Sequence, residues 1–199
     1  TDELAADGVV VALPAWAAAK LVRTRSPSLA TELGAIPYAS VATITLAYAI
    51  DDASGSFRLS GSGVLIPRGD ALSTAFTFVS MKWPRPADDR EVIIRASVGR
   101  HGDDRAFEMD DEELATRVAS EIATILGFDT PPVARHVERF EKAFPQYVSG
   151  HLARCDRITQ LSEPLGPVVL TGSWVGGIGI PACIASARNA AERLISRLR

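Results

Sequence analysis

The 199-residue chain is poor in the residues that build metal and nucleophile sites, with 2 cysteines and 3 histidines. Cys155 and Cys183 lack metal-ligand spacing and have no neighbouring histidine pair. Two thiols make no disulfide framework, so both read as small buried hydrophobes in a reducing, cytoplasmic setting, and no metal is expected. No apolar run reaches the roughly 18 residues a spanning helix needs, which leaves at most peripheral membrane contact. An excess of either charge is also missing. Basic residues number 21 against 24 acidic, and a net charge of −3 argues against a nucleic-acid surface, which needs clustered Lys and Arg. Aromatics are 7% of the chain. There is neither an initiator Met nor a basic leader, and the first seven residues run directly into an apolar stretch, so the chain is expected to be a fragment. What it does have is 47% hydrophobic residues and a mean hydropathy of +0.12, enough for one sizeable core or parts of two.

Residues 8–13 form a continuous apolar run, Gly-Val-Val-Val-Ala-Leu, stopped by Pro14. That pattern predicts a strand buried on both faces, as in a parallel sheet, followed by a helix over 15–22. Alternation predicts strands at 41–50, 63–66, 75–80 and 91–98, with the turn Pro67-Arg68-Gly69-Asp70 between the second and third. Together they read as an antiparallel meander. A helix is predicted over 110–126 because Leu114, Val118, Ile122 and Ile125 share one face. Asp110, Asp111, Glu112 and Glu113 suit its positive N-terminal end, and Gly127 stops it. Four consecutive carboxylates point in four directions, so the run reads as a cap rather than a metal site. Beyond it come a strand at 133–140, then Pro145 and a Gly150-His151 turn. A second short buried strand at 167–171, a glycine-rich stretch and a helix from 182 to 198 make a strand-loop-helix unit. Segments 51–55 and 84–90 read as exposed loops. The order is an α/β piece, an antiparallel α+β middle and a return to the α/β piece, which fits a discontinuous domain carrying an insert.

The glycine-rich stretch contains Gly177-x-Gly179-x-x-Ala182, a superficial match to the dinucleotide fingerprint. The match fails. Thr171 to Gly177 is too long a gap after the strand, Pro181 interrupts the pattern, and no acid follows at the distance a ribose needs. The glycines at 176, 177 and 179 instead let the main chain approach a flat ligand, and Pro181 suits the first turn of a helix whose start favours negative charge. None of His101, His136 and His151 has a partner set for a triad or a metal, and His151 reads as a turn residue. Lys82, Arg85, Arg95 and Arg100 read first as solvated surface and second as contacts for the carboxylates of a ligand.

Five ordered motifs carry a resemblance. They are Gly8-Val9-Val10-Val11-Ala12-Leu13-Pro14-Ala15, Lys82-Trp83-Pro84, Val98-Gly99-Arg100-x-Gly102-Asp103, Pro145-Gln146-Tyr147-x-x-Gly150-His151 and Gly177-Ile178-Gly179-Ile180-Pro181-x-Cys183-Ile184. In this order they resemble the C-terminal part of bacterial protoporphyrinogen/coproporphyrinogen oxidases, within the flavin-containing amine oxidase superfamily. The resemblance implies an α+β fold in which an antiparallel sheet with helices, the substrate-binding region at 26–160, is flanked by two pieces of an FAD-binding α/β domain at 1–25 and 161–199. It implies an FAD enzyme of heme synthesis that oxidises coproporphyrinogen III or protoporphyrinogen IX with O2. Alone, the fragment is expected to be inactive.

Carried over residue by residue, the resemblance implies that Ile178, Gly179 and Ile180 contact the flavin. Phe140 falls where relatives usually have a Trp near the flavin, which keeps an aromatic face and loses the indole N–H. Gly172 and Ser173 fall where many superfamily members place Gly-Asp against the ribitol. Ser62, Leu65, Thr77 and Ser97 correspond to positions lining the tetrapyrrole pocket, and serine at 62 and 97 in place of larger apolar residues suits a substrate with more propionates. The implied partners are the N-terminal half of the same protein, the tetrapyrrole, and by extension a second copy or a membrane surface. A different class stays open beside it, a non-catalytic α+β assembly module that offers a sheet edge. An amine oxidase acting on small amines is disfavoured, because the aromatic pair that would flank the flavin is not evident around Trp174 and Tyr147.

Overall fold

The computed structural model describes residues 3–49, 59–83, 91–127 and 130–199. The chain runs β1 (Val9–Val11), α1 (Ala15–Val22), α2 (Pro27–Gly34), β2 (Tyr38–Ala49), β3 (Gly63–Leu65), β4 (Ser73–Phe78), α3 (Val79–Lys82), β5 (Glu91–Val98), α4 (Asp111–Leu126), β6 (Ala134–Pro145), α5 (His151–Ser162), β7 (Val168–Leu170), α6 (Ser173–Gly176) and α7 (Ile180–Leu198). It divides into two units, Thr1–Tyr38 with Ala143–Arg199, and Ala39–Lys142. The expected boundaries at 25/26 and 160/161 both fall inside the first unit. The architecture is α+β, with a small parallel sheet in the first unit and a five-stranded antiparallel sheet in the second. Among the described residues no helix is long and apolar enough to cross a membrane. The loops expected at 51–55 and 84–90, with Ile50 and Arg85, lie outside the described residues.

In the first unit β1 pairs in parallel with β7, Val9 opposite Val168 and Val11 opposite Leu170. Burial on both faces was the expectation. Val11, Val169 and Leu170 are buried, but Val9 and Val10 are 47% and 41% exposed. A parallel sheet hides both faces only when layers cover both, and a two-stranded one has little to cover it. The core gathers Ala15, Ala18 and Val22 of α1, Leu29 and Leu33 of α2, Ile158 of α5 and Trp174 of α6. Helix α2 was not expected, although Ser26-Pro27 opens it and its last residue is glycine. Helix α5 stands where a turn was expected at Gly150-His151; the turn is there, with Gly150 left-handed at φ 82°, and twelve helical residues follow it. Glu32 of α2 takes a two-pronged contact from Arg157 of α5, both distances 3.1 Å. The guanidinium holds that carboxyl below its ordinary range.

In the second unit the strand order is β3-β4-β5-β2-β6. The expected meander holds for β3, β4 and β5, while β2 inserts between β5 and β6, with Ala42 opposite Val98 and Thr45 opposite Arg95. β4 ends at Phe78 rather than at Ser80, because the chain turns helical there and the Ser80 hydroxyl accepts the Ile93 N–H at 2.9 Å. The side chain replaces a ladder carbonyl. β6 runs on to Pro145, five residues beyond the predicted end. Alternation puts Ile44, Leu46, Phe76, Phe78, Ile94 and Ala96 on one face, where Leu114, Val118 and Ile122 of α4 cover them.

The acidic run at the start of α4 acts as a cap. Asp110 accepts the Glu113 N–H at 2.8 Å, Gly127 closes the helix at φ 75°, and Asp111 and Glu112 reach Arg139 and Arg135 on β6 at 2.8 and 3.0 Å. Glu121, further along α4, accepts the backbone N–H groups of Leu72 and Ser73 at 2.8 and 3.0 Å. A connecting turn carries a further pair, Asp103 with Arg105, at 2.8 and 2.7 Å. The guanidinium lowers the Asp103 carboxyl from 3.8 to about 2. The folded value lies below the unfolded one, so this contact contributes stability above about pH 3.8 and loses it as pH falls through about 2. Thermal midpoints followed down that range should therefore drop less steeply for Asp103→Asn than for the parent.

Candidate functional site

Because β1 and β7 are parallel, their carboxyl ends lie side by side, which is where open α/β sheets place ligands. From Leu170 the chain passes Thr171, whose N–H bonds the Val11 carbonyl at 3.0 Å and whose hydroxyl meets that of Ser186 at 2.7 Å. Gly172 follows at φ 148°, and a Cβ there would stand 3.0 Å from Trp174 Nε1 and 3.2 Å from the Leu13 carbonyl. Only glycine fits. The stretch expected to be plain loop then forms the short helix α6, and buried Trp174 donates its indole N–H to the Leu13 carbonyl at 3.2 Å. One indole thus ties the ends of both strands.

Two side chains before the loop hold α6 by its carbonyls. His151 is buried at the start of α5, with Nε2 2.7 Å from the Trp174 carbonyl, an arrangement that needs the proton on Nε2. The Tyr147 hydroxyl donates to the Ser173 carbonyl, and its ring stacks on His151 at 4.6 Å between centroids. Burial pushes the Tyr147 phenol up. Cys155 lies 3.4 Å from the same imidazole nitrogen and burial raises its thiol, yet both cysteines are half-buried rather than buried as expected. An open cavity of about 460 Å³ adjoins this clamp, lined in part by Tyr147, His151, Leu152 and Gly176. His151 is therefore more than a turn residue. The only sign of it in the sequence was the Pro-Gln-Tyr-x-x-Gly-His motif, whose residues gave no clue to what they would grip.

Past α6 the chain opens. Gly177 stands at φ 142°, where a Cβ would come within 2.7 Å of Ala182, whereas Gly176 has nothing within 4 Å and Gly179 only Pro181 at 3.9 Å. Helix α7 begins at Ile180, two residues before the predicted start, with Pro181 in its first turn and no side chain capping it. Pro181 has no N–H and the Cys183 N–H bonds the Gly179 carbonyl at 3.0 Å, which leaves the amides of Ile180 and Ala182 without a carbonyl within the helix. Ile178 and Ile180 beside them are 51% and 78% exposed.

In the second unit, Leu65, Thr77 and Ser97 all fall on the sheet face opposite α4, each alternating with residues that enter the core. Phe140 joins them. Its neighbour Arg139 turns toward α4 to bond Asp111 and the carbonyls of Ala106 and Met109, so Phe140 projects the other way. Ser62 is exposed just before β3 and falls at the alternate position to Gly63 and Leu65. The loop residues 172, 173, 178, 179 and 180 stand together in the first unit.

The flavin containing amine oxidoreductase family matches over residues 1–195. The chain belongs to that family. It is 34% identical over 191 residues to a coproporphyrinogen III oxidase of Mycobacterium leprae, covering 95% of this chain and 40% of the relative. It is 28% identical to the protoporphyrinogen oxidase of Bos taurus, covering 98% and 41%. A solved structure from Exiguobacterium sp. 255-15, named for a protoporphyrinogen oxidase, superposes with a TM-score of 0.80 at 28% identity, covering 96% of this chain and 42% of that one. The chain thus spans about 40% of the length of the curated relatives it matches. For a flavin-containing amine oxidoreductase the first unit's loop has a fitting donor set. Gly179 leaves room for a flat ring, Ile178 and Ile180 are exposed apolar side chains, the uncapped helix start would favour an electron-rich edge beside it, and no carboxylate occurs from 171 to 184 to repel one.

Proposed function

We propose that this chain supplies the C-terminal part of an FAD-dependent porphyrinogen oxidase acting in heme synthesis, with coproporphyrinogen III as the preferred substrate over protoporphyrinogen IX. The observation that carries it is the uncapped, acid-free start of α7 beside Gly179, in a chain that matches the flavin family over residues 1–195. The similarity to a coproporphyrinogen III oxidase supports the substrate preference.

In this reading the first unit contributes to the flavin site and the second unit to the tetrapyrrole site. Ile178, Gly179 and Ile180 lie against the ring system, and Gly172 and Ser173 against the ribityl chain. Leu65, Thr77 and Ser97 line the macrocycle's pocket, with Ser62 at its margin. The remainder of the flavin site comes from the rest of the polypeptide.

The bound flavin supplies the two-electron acceptor. With a flavin held there and O2 as the terminal oxidant, porphyrinogen would pass to porphyrin by loss of six electrons and six protons, matched by reduction of three O2 to three H2O2. The chain's own residues orient the macrocycle and exclude water; no acid–base side chain is required of them. Purified full-length protein should release FAD on denaturation, and porphyrin fluorescence should rise faster from coproporphyrinogen III than from protoporphyrinogen IX. A flavin-loaded protein that oxidises neither overturns the proposal.

A further inference from the structure

One row of directly opposed residues crosses the open face of the second unit's sheet: Gly63, Thr77, Arg95 and Thr45, on β3, β4, β5 and β2. The next row is Leu65, Ala75, Ser97 and Thr43, and on the other side Ile93 faces Ala47. Opposed side chains in antiparallel strands hold their Cβ atoms about 4.5–5.5 Å apart, so the Arg95 side chain rises between two threonines. Gly63 leaves the end of the row empty. A Cβ there would stand 2.2 Å from the Phe76 carbonyl, so the gap is built in.

Among the described residues Arg95 has no charge of opposite sign paired with it. On its own strand the nearest outward charge is Glu91, about 13 Å away at ~3.3 Å of rise per residue. On β6, His136 and Glu138 pair with each other at 3.6 Å. The unit's other described arginines are all engaged. Arg100 reaches the Ile66 carbonyl at 2.7 Å, Arg68 that of His101, Arg105 pairs with Asp103, Arg117 with Glu121, Arg135 with Glu112 and Arg139 with Asp111. Among the described residues Arg95 alone of these has no acceptor for its guanidinium. Over β3, β4, β5 and β2 this face carries mostly small hydroxyl and apolar side chains around Arg95, with Glu91 at the far end of β5 and His136 and Glu138 out on β6.

We infer that Arg95 binds a carboxylate of the substrate and so contributes to discrimination among porphyrinogens by their propionates; this rests on the porphyrinogen-oxidase reading. The guanidinium donates two parallel hydrogen bonds to the carboxylate, and the Thr45 and Thr77 hydroxyls donate to the carboxylate's remaining lone pairs. Ala47, Ile93, Leu65 and Ala75 offer the apolar surface that a macrocycle would cover. Anchoring one propionate fixes the rotation of the ring in its pocket.

Titrating full-length, flavin-loaded protein with coproporphyrin III, read by fluorescence quenching, tests this without turnover. Arg95→Gln should weaken binding about 10- to 100-fold, the scale of a lost charged hydrogen-bond pair. Arg95→Lys keeps the charge without the fork and should fall between. Coproporphyrin tetramethyl ester should bind parent and Arg95→Gln equally, and Arg135→Gln, which loses a cation paired to α4, should bind coproporphyrin III like the parent. Flavin content and circular dichroism matching the parent establish that the variants are folded. A parent that binds porphyrin and oxidises porphyrinogen, with Arg95→Gln binding unaltered, overturns the Arg95 assignment alone. A parent that does neither overturns the oxidase reading, and this assignment with it.

Discussion

Trp174→Ala should destabilise the protein by about 3–5 kcal/mol, the range for removing a buried aromatic from a packed core. The residue is 2% exposed and sits in the cluster that joins α1, α2, α5 and α6. Its loss empties that space and frees the Leu13 carbonyl from its indole donor. It also removes the ring that Gly172 is shaped around. Chemical unfolding of full-length protein would give the cost, and flavin retention would give the local consequence. Trp174→Phe helps to weigh the two contributions, since it keeps most of the volume while losing the N–H and part of the fused ring; about 1–2 kcal/mol is expected there. Equal losses for the two variants would mean that the hydrogen bond, not the packing, dominates.

Glu121→Gln should cost about 2–3 kcal/mol although it changes one atom. The carboxylate takes two backbone donors, Leu72 N–H and Ser73 N–H, with one oxygen each, in a place where Leu72 is 5% exposed and Ser73 not at all. An amide offers one acceptor and turns its NH2 toward the other donor. Either N–H is then left buried and unmatched. The neighbouring Arg117 is 3.9 Å away on an exposed helix turn, so Arg117→Ala should lose only about 0.3–0.5 kcal/mol. Denaturant midpoints compare the two directly, and similar losses would show that Glu121 acts through its ion pair rather than through the strand.

Helix α4 was readable because three signals agreed: apolar residues at helical spacing, an acidic start capped by Asp110, and Gly127 at the end. The strands were readable by alternation for the same reason. What failed were features decided at long range. The position of β2 between β5 and β6 depends on residues far apart in the chain, and nothing in its own alternation encodes its neighbours. Helix α5 was hidden because only His151, Ile158 and Ser162 of its residues are buried, two of them polar, so its inner face lacks an apolar stripe. At the candidate site the glycines pointed to a close backbone approach, but not to which of them open outward. Gly172 and Gly177 are fitted to protein atoms, and Gly176 and Gly179 face open space. Arg95 looked like three other cations until the sheet register separated it from Arg100, which the Ile66 carbonyl occupies, and Lys82, which lies over Trp83 at 5.7 Å.

The pairing of β1 with β7 sets an order of events during synthesis. Val9 leaves the ribosome well before its partner Val168, which follows only after all of Ala39–Lys142 has emerged. The second unit can therefore close its sheet over α4 while the first still lacks both β7 and Trp174, the residues that complete its core. Once folded, the insert replaces a long flexible loop by a short tether, which lowers the entropy cost of bringing β7 to β1. A fault in the insert, such as loss of the Glu121 contacts, would then delay the first unit as well. Nascent chains would wait longer with the β1 edge unpaired, so aggregation during expression, more than lost affinity for any ligand, is the symptom by which such variants would first be noticed.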